Sequence, residues 1–440
     1  MIKQLKSFDG NIIINSRVEK PGKYDDLFEL TCNNQFIPRG AGLSYCLASA
    51  GENSVSIETT CFNRILHFDL IKGIIRVEPG LKIGHLLNTV LAKGWYLPVL
   101  PGYPGITVGG CIGFNVHGKS QYHDGLFSEY VQSIKLFHPN HGEAEYSRKQ
   151  NPEIFYLTLG AFGLTGFVTE IELKLKPLKS SYILLKKIHV NSLNEAVDVM
   201  HEMGGQFDSI YSWNNLNYNR GKFGKGIVYA EKFLEKSIQP EIFSYKDNRL
   251  SPKSRDSFKI CFFNSLTIDI ECAIYYLKET ITKNETILPV KKASFPIYGK
   301  EIYFKLFGKK GLREYQLIIP HENWMKFEND FFKLKKSRNV HFTLGSLKIF
   351  NGSGKLLNFQ MDGICLAFDM VSTKDTEDFF SIVDDLVIKH NGIANISKDS
   401  RLKAVTVKNM YPEYSLFKDR ITSYEGTKPQ YSYLRQQLNI

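Results

Sequence analysis

The 440 residues, 43% hydrophobic and 23% charged, have the composition of a globular chain too long for one ordinary core and suited to two domains. A formal net charge of +11 favours anionic partners such as phosphorylated substrates or acidic lipid surfaces, and the chain shows no basic helix, zinc-finger spacing or aromatic-basic repeat that would suit nucleic acid. No run of about 18 uncharged apolar residues exists to span a bilayer, the first ten residues lack an apolar signal core, and seven cysteines without a C-x-x-C pair suit a reducing, cytoplasmic setting.

Residues 1 to about 60 read as short strands around a first glycine cluster at 38–45. A hairpin is expected at 64–69 and 73–78, then a helix through Ile83, Leu86, Leu87, Val90 and Leu91, stopped by Gly94. The second glycine cluster, 101–119, follows without a predicted element. Another hairpin is expected at 131–138 and 143–147, then a third glycine cluster at 160–167. Alternation of Phe167, Thr169, Ile171 and Leu173 with Val168, Glu170 and Glu172 predicts a strand with one wet face, ended by Pro177 at a domain boundary. Beyond it come a strand at 182–190 and a helix opened by Ser192 and Glu195 in capping-box spacing. Strands and long polar loops are expected over 206–300. Strands at 314–319, 341–350 and 364–371 then alternate with helices at 322–335 and 376–390, which suggests an antiparallel sheet covered by helices.

None of the glycine clusters reads G-x-G-x-x-G between a strand and a helix, so no nicotinamide fingerprint is present. Singly each is a tight turn; together they suit one bulky ligand laid along bare main-chain N–H groups. The words Arg39-Gly-Ala-Gly-Leu-Ser-Tyr45, Leu97-Pro-Val-Leu-Pro-Gly102, Thr107-Val-Gly-Gly110, His117-Gly-Lys119, Gly163-Leu-Thr-Gly166, Tyr315-Gln-Leu-Ile-Ile-Pro320 and Lys398-Asp-Ser-Arg401 occur in this order over nearly the whole chain. On them the chain resembles the vanillyl-alcohol-oxidase type of FAD-binding flavoprotein and, within it, the decaprenylphosphoryl-ribose 2-oxidases.

The resemblance implies an α+β fold: a two-subdomain, PCMH-type FAD-binding domain over 1–178, completed by 393–440, and a substrate domain over 179–392. It implies FAD lined by Arg39, Gly40, Ala41, Gly42, Leu43, Ser44, Tyr45, Gly102, Thr107, Gly109, Gly110, Asn115, His117, Gly118 and Val168. FAD would be non-covalent, because Leu43 stands where many relatives carry a flavin-bonded histidine. Lys398 is implied as the proton-handling catalytic group with Tyr45 as a second hydroxyl, and Lys119, Gln316, Lys348, Cys365 and Lys398 as the substrate's surroundings. No metal is expected. By themselves Lys398 reads as a solvent-exposed lysine and Cys365 as a small buried strand residue.

The function so implied is oxidation of the 2-hydroxyl of a polyprenyl-phosphate-linked pentofuranose to the 2-keto sugar, the first half of a 2-epimerisation in cell-envelope synthesis. A separate NAD(P)H-dependent keto-reductase would finish the inversion, a quinone or other acceptor would reoxidise the flavin, and the chain could sit peripherally at the inner membrane face. An aldonolactone or free-sugar oxidase using oxygen is the alternative, although its His-x-x-Lys signature is replaced here by Ser397-Lys398-Asp399-Ser400; a flavin-free binding scaffold is a third reading. The chain departs from the family pattern at Cys46-Leu47, usually Gly-Asp, and at Asn395, an aromatic in the relative.

Overall fold

The computed structural model describes residues 1–218, 222–235, 258–338 and 340–440. Two larger sheets and a two-stranded pair, Trp95–Tyr96 with Lys176–Pro177, build the first 178 residues. One runs in the order Ile2–Lys6, Ile13–Glu19, Val55–Glu58, Phe36–Arg39, with Val55–Glu58 parallel to both of its neighbours. The other is antiparallel, in the order Ile65–Asp69, Ile74–Val77, Phe167–Lys174, Val131–His138, Gly142–Ser147. Phe167, Thr169, Ile171 and Leu173 are buried on it, while Glu170 and Glu172 on the wet face meet Arg76 at 3.6 and 3.1 Å. Helix Ile83–Leu91 closes that core with Ile83, Leu86, Leu87 and Val90, as its period predicts.

A short helix, Val108–Phe114, crosses the second glycine cluster, where the sequence shows none. Three glycines in seven positions weaken helix propensity and hide the signal. Tertiary contacts hold it instead: Thr107 Oγ1 accepts from Gly110 N at 3.2 Å, and Val108, Cys111 and Ile112 are buried.

The second region carries two four-stranded antiparallel sheets. Their orders are Ser209–Asn214, Gly226–Phe233, Tyr182–Val190, Glu285–Pro289 and Leu344–Phe350, Gly363–Val371, Leu312–Ile319, Ile393–Ala394. They abut where Leu347 N donates to Ser212 Oγ at 3.1 Å. Helices Leu193–Gly204, Trp324–Ser337 and Lys374–Lys389 pack Trp324, Phe327, Phe331, Phe379 and Phe380 into a core shared with Tyr315 and Phe368. Antiparallel sheets under helices make this an α+β protein. Ser192 caps its helix as expected, but Glu195 reaches Asn191 N (2.7 Å) rather than closing the box.

Two expectations need correction. The stretch 206–300 contains a long helix, Ser265–Ile281, capped by Asn264 and Thr267. Apolar residues lie on two of its faces, Ile268 and Cys272 inward and Leu266, Ile270, Ile274 and Leu277 outward, so no single buried stripe marks it. The parts of that expectation at 219–221 and 236–257 lie outside the described residues. The tail, in turn, begins inside the second region, because Ile393–Ala394 pairs with Leu312–Ile319. Helices Ala404–Met410, Tyr414–Glu425 and Tyr433–Leu438 then lead back, and Tyr431 N and Tyr433 N donate to Phe36 O (3.2 Å) and Ala50 O (2.7 Å). Among the described residues no helix is long and apolar enough to cross a membrane.

Candidate active site

The three glycine clusters meet. A Cβ on Gly40 would overlap the Thr107 hydroxyl, one on Gly163 would lie 3.4 Å from Pro38, and Phe162 N donates to Gly113 O at 2.8 Å. Gly42 has a φ of +69°, and a side chain there would collide with the Arg39 guanidinium. Arg39 is itself buried, donates to Ser49 Oγ at 2.9 Å, and has its pKa lowered by burial against the opposing pull of Glu58. None of the main-chain N–H groups of Gly40, Ala41, Gly42, Leu43 and Ser44 has an acceptor among the described residues. Successive bare amides around a positive-φ residue form a concave seat for an anion, so this turn fits the pyrophosphate of a dinucleotide.

Around that seat, Gly109 N donates to Pro79 O at 2.8 Å, and a Cβ on Gly118 would come within 2.8 Å of Leu100 O. Gly102 faces open space, and Val168 is half-buried at the start of its strand. Asn115 sits at φ +44°, its Oδ1 accepting from Ser128 N (2.9 Å) and its Nδ2 donating to Asn358 (3.1 Å), so its amide is committed to the protein. A cavity of about 500 Å³ takes in Asn115 alone of the expected residues, and its cations Arg148, Lys355 and Arg420 are matched by Glu129, Glu153 and Glu413. It is not the site those residues build.

Facing the cradle is one surface of the second region's sheet. Glu314 and Gln316 share it with Cys365, Asp369 and Lys348, because residues two apart on a strand point the same way and the register sets Glu314 opposite Asp369 and Lys348 opposite Cys365. Gln316 ties it to the first region, its Nε2 lying 3.2 Å from His117 Nε2 and 3.5 Å from Cys365 Sγ, while Oε1 accepts from Asn395 Nδ2 at 2.7 Å. Phe350 and Phe359 ring His117 at 4.9 and 5.7 Å. Burial first, then Lys348 and Lys398, hold its imidazole well below the usual histidine range, so the ring is neutral.

Lys398 Nζ lies 3.1 Å from Glu314 Oε2 and 4.5 Å over the Tyr45 ring. Tyr45 is buried against Phe8, with Glu314 as its hydrogen-bond partner, and burial keeps its phenol protonated. The Lys398 loop is fastened by Arg401, which grips Asp384 (2.7 Å) and Asp399 (2.8 Å), and by Ser400, which accepts from Arg313 (2.7 Å). Lys398 is therefore ion-paired and partly covered, its side chain 31% exposed, rather than a free solvent lysine. Burial and neighbouring Lys398 lower the pKa of Lys348, which has no ion-pair partner among the described residues. Cys365 is buried and its thiol pushed up to about 12, so it is a neutral, weakly polar wall. Lys119 is held by Glu231 Oε1 and Ala293 O, each at 2.6 Å, while its charge still helps to lower the pKa of Lys348.

Glu314 and Asp369 are the residues sequence reasoning missed. Period two from Gln316 puts Glu314 on the site face, but only the strand register reveals Asp369 across from it. Two carboxylates directly opposed in a buried ladder repel. Burial, then Glu314, accordingly raises the Asp369 pKa well above the carboxyl range, so this carboxyl keeps its proton while Tyr303 donates to Oδ2 at 2.9 Å. Lys398 and Glu314 are thus ion-paired on this wall, with the protonated Asp369 opposite Glu314 in the ladder.

Comparison with known proteins agrees with this geometry. Residues 28–144 match the family described as the FAD binding domain. The chain is 26% identical over 386 residues to decaprenylphosphoryl-beta-D-ribose oxidase of Mycolicibacterium smegmatis, covering 86% of this chain and 83% of that one. Shorter stretches resemble human delta(24)-sterol reductase, 31% identical over 122 residues (28% of this chain, 23% of the relative), and rice (Oryza sativa subsp. japonica) mitochondrial L-galactono-1,4-lactone dehydrogenase 2, 30% over 140 residues (31% and 23%). The chain is therefore an FAD-dependent oxidoreductase whose cofactor is FAD, similar over most of its length to decaprenylphosphoryl-beta-D-ribose oxidase.

Proposed function

We propose that this oxidoreductase converts the 2-hydroxyl of a polyprenyl-phosphate-linked pentofuranose to the ketone, as the first half of a 2-epimerisation. The observation that carries the reading is the sheet face itself: an unpaired lysine, Lys348, and a lysine–carboxylate pair, Lys398–Glu314, stand on either side of Gln316 and His117, opposite the glycine cradle. FAD, when bound, supplies the acceptor for the hydride leaving the carbinol carbon. Gly40 to Ser44 would hold its pyrophosphate and neutral His117 would stand beside its ring. With Leu43 standing where many relatives carry a flavin-bonded histidine, attachment would be non-covalent.

Lys398 orients the reacting hydroxyl, accepting its proton as one of its own passes to Glu314 Oε2. Gln316 and Asn395 offer amides to the other hydroxyls, and Lys348 pairs with the phosphate. In this reading residues 1–178 with the returning tail bind the cofactor, and 179–392 present the substrate. A separate NAD(P)H-dependent reductase would complete the inversion, and a quinone or similar acceptor would take the electrons onward. Anaerobic mixing of the FAD-loaded protein with polyprenyl-phosphoryl pentoses and with aldonolactones tests it, by loss of flavin absorbance. Bleaching by the lipid-linked pentoses is expected; bleaching by lactones alone would replace the proposal with a lactone oxidase.

A further inference from the structure

The helix Ser265–Ile281 has two apolar faces, and only one belongs to the core. Inward, Ile268 and Cys272 join the cluster that contains Tyr45, Trp213, Tyr229, Phe304 and Phe307. The Tyr275 ring packs at a tilt 4.7 Å from Trp213, and its hydroxyl lies 2.9 Å from that of Tyr229. The helix is thus part of the wall around Tyr45. Outward, Phe262, Leu266, Ile270, Ile274, Leu277 and Ile281 are exposed by 50, 67, 48, 61, 60 and 76%. Spacings of four, four, three and four residues from Leu266 to Ile281 place those five in one stripe along the helix, with Phe262 just before its start. Ile260 (70%) and Ile302 (60%) extend it, since Phe262 N donates to Leu306 O at 2.9 Å and draws the two segments together. A contiguous patch of this kind is uncommon on a monomer surface and marks a place of contact.

The rim of the stripe is basic. Lys278, Lys292 and Lys300 gather beside its C-terminal half, where burial first and then the charges of Lys278 and Lys292 lower the pKa of Lys300. Exposed Lys309 and Lys310 stand at the other end, where Gly308 backs directly onto Ile260 O. Of the acidic residues on the helix, Glu279 is paired with Lys187 at 2.8 Å and Glu271 has its carboxyl pushed up to about 7 by burial, which leaves Asp269 as the plain negative charge. The whole chain adds a formal +11. Two copies meeting through this face would bring lysine rim against lysine rim, whereas an anionic bilayer answers both the stripe and the rim.

We propose that this face docks the protein on an anionic membrane surface, with the stripe entering the acyl boundary and the lysines on lipid phosphates. The inference rests on the lipid-linked reading of the substrate: the helix whose outer face would lie in the bilayer has its inner face in the wall beside Tyr45, so a lipid-borne sugar would reach the cleft without leaving the membrane.

The test uses the full FAD-loaded chain in flotation with phosphatidylcholine vesicles, with and without phosphatidylglycerol. The wild type is expected to float with the anionic vesicles and to be released by salt. The combined variant Ile270→Ser, Leu266→Ser, Leu277→Ser should bind at least about tenfold more weakly, and Lys278→Glu with Lys292→Glu should abolish the preference for phosphatidylglycerol. Both variants should keep their flavin absorbance and bleach normally with a water-soluble, short-chain phosphoryl pentose. That soluble substrate separates the two ideas, because its failure in the wild type overturns the substrate reading and leaves flotation to judge the surface. Equal flotation of wild type and serine variant, or no flotation by either, would overturn the docking surface. So would a wild-type dimer in sedimentation that the serine variant dissolves, which would assign the stripe to a second copy.

Discussion

The two walls of the cleft are made of different material. The side proposed to hold the cofactor is built from main chain: a run of amides at Gly40 to Ser44 without acceptors among the described residues, held by glycines that permit contacts a side chain would block. The side proposed to hold the substrate is built from side chains on a sheet, with Glu314, Gln316, Lys348 and Asp369 fixed by strand register. A backbone site tolerates few substitutions because its donors cannot be moved without moving the fold. A side-chain site can be retuned residue by residue, and so is where relatives with one cofactor come to differ in substrate.

Breaking the first wall should have the largest effect. Gly40→Val puts side-chain atoms into the Thr107 hydroxyl and tilts the amide run, and the purified protein is expected to have lost most of its flavin absorbance, by more than about tenfold in occupancy at a working FAD concentration. On the second wall, Lys398→Met should keep FAD but slow bleaching by the sugar by about 10²- to 10⁴-fold, the usual worth of a positioned proton-transfer group. Stopped-flow spectra check both at once, and a Lys398 variant that bleaches at the wild-type rate would remove it from the chemistry. Lys348→Met should instead raise KM by roughly 10- to 100-fold with less change in kcat, since a phosphate contact is made in ground and transition state alike.

A smaller effect sharpens the comparison through pH. Asp369 keeps its proton in the folded protein, whereas an unfolded aspartate releases it near pH 4. The folded state therefore binds more protons, and stability falls as pH rises from about 4 toward the raised value, by up to ~1.4 kcal/mol per pH unit. Asp369→Asn, which imitates the protonated carboxyl, should flatten this decline when Tm is followed against pH; an unaltered profile would show that Asp369 is ionised in the folded protein. Smallest of all, Cys365→Ala should leave turnover within about twofold, because a thiol raised to about 12 is neutral at working pH. Alkylation at neutral pH should reach exposed Cys32 and Cys61 well before it, as mass spectrometry of the peptides will show.

The same contrast explains how much could be read in advance. Glycines advertise themselves, so the convergence of Gly40, Gly113 and Gly163 was legible from three clusters in one order. The α+β class was legible from alternation along Phe167–Lys174 and from the helical period of Ile83–Leu91. Partnerships between side chains were not. Nothing in the sequence sets Glu314 against Asp369, assigns Lys119 to Glu231, or spends the Asn115 amide on Ser128 and Asn358, because each depends on strand pairing between distant segments. The helix Ser265–Ile281 escaped for a different reason, since apolar residues on opposite faces blur the period that reveals a buried stripe.

The tail's course has one more consequence. It adds the strand Ile393–Ala394 to the second sheet, carries Lys398, and then ties itself to Phe36 and Ala50. The ribosome therefore delivers the proposed proton acceptor only after both halves that it joins have been made. On the proposed chemistry the chain stays inert toward sugars until this last seam joins the two halves.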